Sequence, residues 1–439
     1  MKKLLALVLV LLFLLSLAGC NDSPVPSVTA PPQNTTGETQ VPTETTSGIP
    51  HGVSFPLPSH WDSRKEKNNG TFTDEGYYFL DSQSLLRFVD LSNGNCVILC
   101  SKVGCSHENT PGSMCEAVLT GADVMDLQPL FYWDGAIYYT AYDHQGTHLY
   151  RRNADGTGMN RITTLGQEYA KQKKGFDIYE YLVSDGCLYY NAVVTSTIKD
   201  ELSDSSLTVG ELDVLHCVDL KTGRDRQLTQ DEHHTLQIMA ASENVVIYSS
   251  IESCDPADPD YTQKLLNASR QIVAMDKETG EKGVILDKTF RELRYFVGIL
   301  NNTLLFRECS ESGDQSLVCY DISTGQVLQQ TAFEGVPNCV LNTKYALVYD
   351  ADHDINTMLD LSAGQAIIGG VDGVRLIVQN INDEYFIVKQ SFLAEGDADE
   401  DGGKQVAYSH LCFCSFSALE DGFQQEDLVP FYTIEYAHS

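Results

Sequence analysis

The sequence is poor in positive charge. It contains 29 lysine and arginine residues against 61 aspartate and glutamate residues, which gives a formal net charge of −32 at pH 7. Such a chain repels phosphate backbones, so we expect no nucleic acid among its partners. Solubility alone accounts for the acidity, and the alternative is a surface that binds cations or a cationic partner.

The sequence has little helical periodicity, and strands do not alternate with helices as they do in solute-binding transporter subunits. It also lacks a nucleophile elbow, a phosphate-binding loop and a dinucleotide-binding fingerprint. These absences disfavour the enzyme classes that carry such motifs. We therefore expect a binding or interaction module rather than an enzyme.

The N-terminal apolar run, residues 4–15, is shorter than the roughly 20 residues that cross a bilayer. Lys2 and Lys3 precede it, and small residues follow before Cys20. A positive start, a short apolar run and a small-residue cleavage site are typical of a secretory signal peptide, which we assign to residues 1–19.

The ending Leu17-Ala18-Gly19-Cys20 resembles the lipobox of bacterial lipoproteins. The resemblance implies that Cys20 receives a diacylglyceryl group and becomes the new N-terminus. The protein would then be anchored on the extracytoplasmic face of the cell membrane, since several acyl chains give stable anchoring. The alternative is an ordinary secretory signal with a coincidental cysteine.

Residues 21–50 are dominated by serine, threonine, proline, glycine and other polar residues. Such a stretch cannot bury enough apolar surface to offset the entropy of ordering. We therefore expect a disordered linker at 20–52, followed by one folded domain at 53–439.

Two patterns recur along that domain. In the first, a strand-like run ends in aspartate, and a turn glycine follows after three intervening residues. It occurs at 86–94, 215–223, 272–280, 317–325 and 356–364, with a variant at 149–156. In the second, a polar turn precedes a short tyrosine-rich run; it starts at Gly76, Asp134, Asp185, Glu243, Asn301, Tyr345 and Tyr385. Aspartate and glycine in these positions predict hairpin turns.

Short β-branched and aromatic runs with regular turns predict an all-β protein, and a repeat of 40 to 60 residues is typical of a β-propeller blade. We interpret the tyrosine-rich run as the second strand, the aspartate-ended run as the third and the segment after the glycine as the fourth. We predict seven four-stranded blades, although six or eight also fit because the unit at 385–428 is degenerate. Residues 429–436 would help to close the ring beside the first blade.

The repeats lack the Gly-His and Trp-Asp signature of WD40 proteins. They resemble the propeller lipoproteins of Gram-positive bacteria and the propeller part of TolB-like proteins over residues 75–428. This resemblance implies a fold and says almost nothing about function.

In a propeller, the loops between second and third strands open on the same face as the connections between blades. We call this the loop-rich face. On our strand assignment it carries most of the unusual polar residues: 100–116, His144, 255–260, 350–354 and 397–401.

The strongest candidate site on this face is formed by Cys100, Cys105, His107 and Cys115. Three thiols and one imidazole within sixteen residues can bind a tetrahedral Zn²⁺, and Gly104 suits the short loop. In an extracytoplasmic protein, two of the three cysteines could instead form a disulfide. The segment also resembles a Cys/His insertion after the first blade of these lipoproteins.

A weaker candidate is a calcium loop at Asp397, Asp399 and Asp401, where carboxylates alternate before Gly402. The twelfth position is Tyr408 instead of the bidentate glutamate of an EF-hand, so a solvated acidic hairpin tip is the alternative.

We therefore expect a membrane-anchored extracytoplasmic module that presents its loop-rich face to a protein, peptide or glycan ligand. The alternative is a metal-dependent polysaccharide lyase or hydrolase, in which histidines near that face hold a catalytic metal: His107, His144, His233, His234 and His353.

Overall fold

The computed structural model describes most of the residues after 51, and they belong to one compact unit, Gly48–Ser439. The described residues are 52–58, 61, 70–108, 115–119, 129–143, 145–172, 174–199, 206–293, 295–310, 312–332, 336–341, 345–350, 355–360, 365–368, 374–382, 384–393, 406–420 and 425–435. The predicted signal peptide, Cys20 and almost all of the predicted linker lie outside them. None of the helices described is long and apolar enough to cross a membrane.

The first four sheets each contain four consecutive antiparallel strands. The first contains β1 (Gly70–Phe72), β2 (Gly76–Leu80), β3 (Leu86–Asp90) and β4 (Cys96–Ile98). The second contains β5 (Leu130–Trp133), β6 (Ala136–Asp143), β7 (Gly146–Asn153) and β8 (Asn160–Thr164). The third contains β9 (Gly175–Ser184), β10 (Cys187–Lys199), β11 (Ser206–Asp219) and β12 (Asp225–Asp231). The fourth contains β13 (His234–Ala241), β14 (Val245–Glu252), β15 (Ser269–Asp276) and β16 (Lys282–Thr289).

Three more sheets have the same strand order. The fifth contains β17 (Tyr295–Leu300), β18 (Thr303–Cys309), β19 (Gln315–Asp321) and β20 (Gln326–Ala332). The sixth contains β21 (Val336–Leu341), β22 (Tyr345–Asp350), β23 (Ile355–Asp360) and β24 (Gln365–Ile368). The seventh contains β25 (Val374–Ile381), β26 (Tyr385–Leu393), β27 (Val406–Ser415) and β28 (Val429–Glu435).

The helices of the described part are short and lie in connections. They are α1 (Gln167–Lys171) between β8 and β9, α2 (Tyr261–Asn267) between β14 and β15, α3 (Phe416–Glu420) before β28, and one 3₁₀ turn at Gln425–Asp427. The chain is therefore an all-β protein, as the repeats predict.

The first strands of the sheets lie next to one another around a ring. Strand β1 contacts β5, and successive contacts join β9 to β13, β13 to β17, β17 to β21, β21 to β25, and β25 back to β1. A shared hydrophobic cluster joins the second and third sheets. This closed order of four-stranded meanders is a β-propeller, so the predicted fold class is confirmed.

The recurring aspartate organises the turn between the third and fourth strands. In the third sheet, the Asp219 carboxylate accepts hydrogen bonds from the amides of Lys221 and Thr222 at 2.9 and 2.8 Å. Gly223 has a φ of 70° and donates its amide to the Asp219 carbonyl at 2.8 Å. The same contacts recur at Asp276 and Asp321, so the predicted hairpin chemistry is confirmed.

The tyrosine-rich second strands fill the space between neighbouring sheets. Tyr139, Tyr189 and Tyr190 are at most 1% exposed. Burying a hydroxyl requires a hydrogen-bond partner, and the Tyr190 hydroxyl donates to the Asp225 carboxylate at 2.6 Å. Core clusters of this kind also join the first sheet to the second and the fourth sheet to the fifth.

The C-terminal strand β28 pairs with β27 as the fourth strand of the seventh sheet. Its Phe431 ring packs against Phe79 of the first sheet with centroids 5.4 Å apart, and Tyr432 lies 5.5 Å from the same ring. The predicted position of this segment beside the first blade is confirmed. Side-chain packing between the first and last sheets closes the ring here.

The first described segment, 52–58, packs on the outside of the fourth sheet. Val53, Phe55 and Leu57 contact its core, and Trp61 is buried with its indole nitrogen donating to the Asn302 side chain at 3.3 Å. Asn302 lies in the turn between β17 and β18, on the face opposite the loop-rich face. We call that opposite face the turn face.

Candidate metal centre

The Cys/His segment connects β4 to β5, which makes it one of the connections between blades. Its described parts are 99–108 and 115–119. Val118 forms an isolated antiparallel bridge with Leu85, and the Ala117 carbonyl accepts the Leu86 amide at 2.8 Å. These contacts hold the end of the insertion against the start of β3.

The four predicted ligands converge. One thiol sulfur from each of Cys100, Cys105 and Cys115 and a ring nitrogen of His107 all lie within 4.8 Å of one another. The Cys115 Sγ is 3.6 Å from His107 Nδ1. In the part of the chain that the structure describes, this is the one group of three or more histidine, cysteine or acidic side chains with ligand atoms so close together.

Two residues in the left-handed backbone region reverse the chain and create this convergence. Gly104 has a φ of 75° and His107 a φ of 55°. Glycine adopts such a conformation without steric cost, whereas histidine does so at a small cost in free energy.

The thiols differ in their surroundings. Cys115 is 7% exposed, and its burial raises the pKa of its thiol to about 11. Burial also raises the pKa of the Cys100 thiol. Hydrogen bonds from the amides of Lys102 and Glu116 and from the neighbouring thiols outweigh this effect, so the pKa of Cys100 is lowered overall.

A buried arginine accompanies the thiols. Arg152 of β7 is 5% exposed, and its Nη1 donates to the Glu116 carbonyl. Its Nε is buried and has no hydrogen-bond partner among the described residues. Burial lowers the pKa of Arg152, while Tyr139, Glu116 and the thiols of Cys115 and Cys100 favour its charged form.

The residues fit a zinc ion. Tetrahedral coordination with Zn–S bonds of about 2.3 Å and Zn–N bonds of about 2.0 Å separates the ligand atoms by about 3.5 to 3.8 Å. The 3.6 Å distance between Cys115 Sγ and His107 Nδ1 is in that range. Three thiolates, a neutral imidazole and Zn²⁺ have a net charge of −1, which the positive charge of Arg152 offsets.

The candidate ligands outside the Cys/His segment that the structure describes do not join this group. Asp397, Asp399, Asp401, His144 and His353 lie outside the described residues, so the predicted calcium loop stays a prediction. In the loop at 255–260, two carboxylates accept hydrogen bonds from backbone amides: Asp255 from Ala257 at 2.9 Å, and Asp258 from Asp260 at 2.8 Å.

Two of the remaining described histidines, His148 and His216, are held in two different sheets. His148 lies between Asp143 and Thr164, with both distances 2.9 Å. His216 is fully buried, 3.0 Å from Asp225 and stacked on Tyr190. Sequence reasoning did not identify these pairs, because each joins two strands that only sheet pairing brings together.

Comparisons with known proteins give distant similarities of structure. No protein-family model and no curated protein matches the sequence. An oligogalacturonate lyase in complex with manganese matches at 14% identity and a TM-score of 0.41, over 67% of this chain and 74% of that chain. The β-propeller domain of the Trilobed protease from Pyrococcus furiosus matches at 10% identity and a TM-score of 0.36, over 58% and 70% of the two chains.

TolB from Acinetobacter baumannii matches at 12% identity and a TM-score of 0.33, over 80% of this chain and 76% of that chain. Identities and scores this low carry no inference about ligand or activity. The functional argument for this chain therefore rests on its own residues.

Proposed function

We propose that the chain is a membrane-anchored extracytoplasmic binding module, whose loop-rich face is braced by a structural zinc ion at Cys100, Cys105, His107 and Cys115. The convergence of these four ligand atoms within 4.8 Å carries the proposal. A structural zinc site is complete with four protein ligands, whereas a catalytic site keeps a position for water or substrate. The four ligands here fill the coordination shell.

Two observations favour zinc over a disulfide. A disulfide would use two of the three thiols and would give no reason for the left-handed backbone at His107. A zinc–thiolate centre would also add a second negative neighbour, besides Glu116, to the buried charge of Arg152.

The contact of the N-terminal segment with the turn face supports an orientation in which the loop-rich face points away from the membrane. Residues 52–58 lead from the predicted linker, and Ser54 donates a hydrogen bond to Glu281 in the turn between β15 and β16, on the turn face. A linker that joins the propeller there leaves the loop-rich face free to point away from the membrane.

Exposed apolar side chains on the loop-rich face support its use as a binding surface. Val103, in the Cys/His insertion, is fully exposed, and Tyr142, at the end of β6, is 63% exposed. Tyrosine is enriched among the residues that contribute most to binding energy at interfaces. Together they place apolar contact area on two parts of the loop-rich face.

The proposal is tested by probing a glycan and peptide array with the full chain, with Tyr142→Ser as the site variant. We expect a retained ligand whose binding is weakened about ten-fold by Tyr142→Ser. Val327→Ser is the matched control, since Val327 is 56% exposed on β20 at the outer edge of the fifth sheet. It should leave binding unchanged.

The competing lyase hypothesis is tested in the same preparation by incubation with acidic polysaccharides, with and without a chelator. Intact polysaccharide in both samples is the result expected for a binding module. Chelator-sensitive release of shorter saccharides would instead establish a metal-dependent enzyme and overturn the proposal.

A further inference from the structure

Two cysteines of the third sheet lie side by side near the turn face. Cys187 begins β10 directly after the turn from β9, and Cys217 lies near the end of β11. In the strand register Cys187 faces Asp219, and Tyr189 faces Cys217. The two thiols therefore occupy diagonal positions on one face of the sheet, where side chains can interact. Cys217 is 3% exposed, whereas Cys187 is only half-buried.

This pair of thiols is a feature of the third sheet and not of the repeat. The equivalent diagonal in the fifth sheet joins Thr303 to Cys319, because Thr303 faces Asp321 and Leu305 faces Cys319. Cys319 thus occupies the repeat position of Cys217 without a thiol on the diagonal. Burial alone raises the pKa of Cys319.

A buried lysine of the fourth sheet accompanies the pair. Lys277 follows β15 and is 8% exposed, and its Nζ donates to the Tyr189 hydroxyl at 2.6 Å and to the Ser242 carbonyl at 2.8 Å. Both acceptors are neutral, and no carboxylate of the described residues forms an ion pair with Lys277. A buried ammonium is costly without a negative neighbour, and a thiolate can be that neighbour.

The surroundings of Cys187 favour its thiolate. A hydrogen bond from the Cys217 thiol is the main cause that lowers the pKa of Cys187 to about 7, although burial opposes it. The positive charge of Lys277 and a hydrogen bond from the Tyr189 hydroxyl also lower this pKa, and the Asp219 carboxylate raises it. The half-buried sulfur therefore carries the negative charge.

The second thiol keeps its proton. The hydrogen bond to Cys187 and burial both raise the pKa of Cys217, and the positive charges of Lys277 and Arg226 do not reverse this. One sulfur is thus an accessible nucleophile, and the other is a buried hydrogen-bond donor. Partly exposed, electropositive surroundings of this kind are typical of reactive cysteines.

We infer that Cys187 is a modification site on the turn face, where its thiolate takes up a small thiol from a low-molecular-weight disulfide. The Cys187 sulfur attacks one sulfur of that disulfide and forms a new S–S bond with it. The original S–S bond breaks, and the second half of the reagent leaves as a thiolate. The disulfide is both the oxidant and the source of the transferred group.

Cys217 and Lys277 are positioning residues in this reaction, because they stabilise the attacking thiolate. A bond between Cys187 and Cys217 is not expected, since diagonal neighbours stand about 7 to 8 Å apart and an unstrained disulfide spans less. The site lies opposite the loop-rich face, so it does not depend on the proposed binding function.

The test is incubation of the reduced full chain, solubilised in detergent, with hydroxyethyl disulfide, followed by mass mapping of its peptides. At pH 7 we expect the adduct at Cys187 to form at least about ten-fold faster than at Cys319, the matched thiol of the fifth sheet. Lys277→Met should slow the reaction of Cys187 about ten-fold at pH 7 and much less at pH 9, where the thiol ionises without the ammonium. A purely structural role of Lys277 would not produce this dependence on pH.

Cys217 provides a second pair of variants, which decides the matter if Lys277→Met does not fold. Cys217→Ala should slow the reaction of Cys187 at pH 7, whereas Cys217→Ser retains a hydroxyl donor and should react faster than Cys217→Ala. Cys319→Ser is the control and should leave the reaction of Cys187 unchanged. Three results would overturn the inference: no adduct at Cys187, equal rates at Cys187 and Cys319, or a disulfide between Cys187 and Cys217 in place of the adduct.

Discussion

Single buried ionisable residues in this propeller depend on neighbours from other strands. Asp213 of β11 accepts a hydrogen bond from the Tyr179 hydroxyl at 2.6 Å, and the Leu236 carbonyl of the next sheet lies close to the same hydroxyl. Burial raises the pKa of Asp213 to about 6, against an ordinary value near 3.8. Between those two values the folded chain binds more protons than the unfolded chain, so this residue lowers stability as the pH rises through the window.

Asp213→Asn should therefore stabilise the protein at pH 7.5 and have little effect at pH 4. The amide cannot ionise, and its oxygen still accepts the Tyr179 hydroxyl. We expect a gain of about 1 to 2 kcal/mol in the free energy of unfolding at pH 7.5, measured by urea denaturation at both pH values.

The control for this change is Asp90→Asn in the first sheet. Hydrogen bonds from the Ser92 hydroxyl and amide lower the pKa of Asp90. The carboxylate therefore stabilises the fold at pH values above its unfolded pKa, and this stabilisation is lost as the pH falls through the folded pKa. Asp90→Asn should not stabilise the protein at pH 7.5. An equal gain for Asp213→Asn at both pH values would contradict the assignment of its pKa.

At the scale of elements, the Cys/His insertion differs from the strands around it. Its described parts form no strand of their own, and the Leu85–Val118 bridge is its one β-bridge there. A segment with so little backbone pairing needs another source of order, and a bound metal supplies folding free energy directly.

His107→Ala should remove the zinc. We expect about one zinc ion per chain in the unaltered protein and a large loss in the variant, measured by elemental analysis of the purified chain. The matched control is His233→Ala, because His233 is exposed on another connection of the loop-rich face. It should retain its zinc.

Thiol titration of the unreduced, unfolded protein decides whether the three cysteines of the insertion bind zinc or form a disulfide. Free thiols at Cys100, Cys105 and Cys115 agree with zinc. A chain without zinc, with a disulfide mapped between two of these cysteines, would reject the metal centre in favour of a covalent link.

At the scale of the whole molecule, the predicted anchor and the folded domain act together. Lipidated Cys20 would hold the chain at the membrane, and the segment at 52–58 meets the propeller at its fourth sheet, near Gly283. The predicted linker would then reach the folded domain on the turn face.

Cys20→Ala should release the domain into the medium or leave the precursor uncleaved, because no sulfur is available for the lipid. The measurement is fractionation into membrane and medium, followed by mass determination of the mature N-terminus. Cys254→Ala is the control and should remain in the membrane fraction. Normal, detergent-extractable membrane retention of Cys20→Ala would refute the anchor.

The sequence by itself determined where the second, third and fourth strands lie and which turns precede and separate them. It left the first strands unassigned and allowed six or eight blades besides seven. These features are local: a short tyrosine-rich run favours an extended strand, and an aspartate with a glycine four residues later closes a hairpin. The same locality placed Cys100, Cys105, His107 and Cys115 together, since they span only sixteen residues. Repetition of the pattern then indicated a propeller.

The tertiary structure alone decided which distant residues meet. Arg152 lies beside the thiols because β7 of the second sheet packs next to the insertion, and no spacing in the sequence encodes that contact. The packing of Trp61 on the fourth and fifth sheets and the contact of Lys277 with Tyr189 also join segments from different repeats. Such contacts depend on the ring arrangement of whole sheets, which side-chain packing sets and local pattern does not.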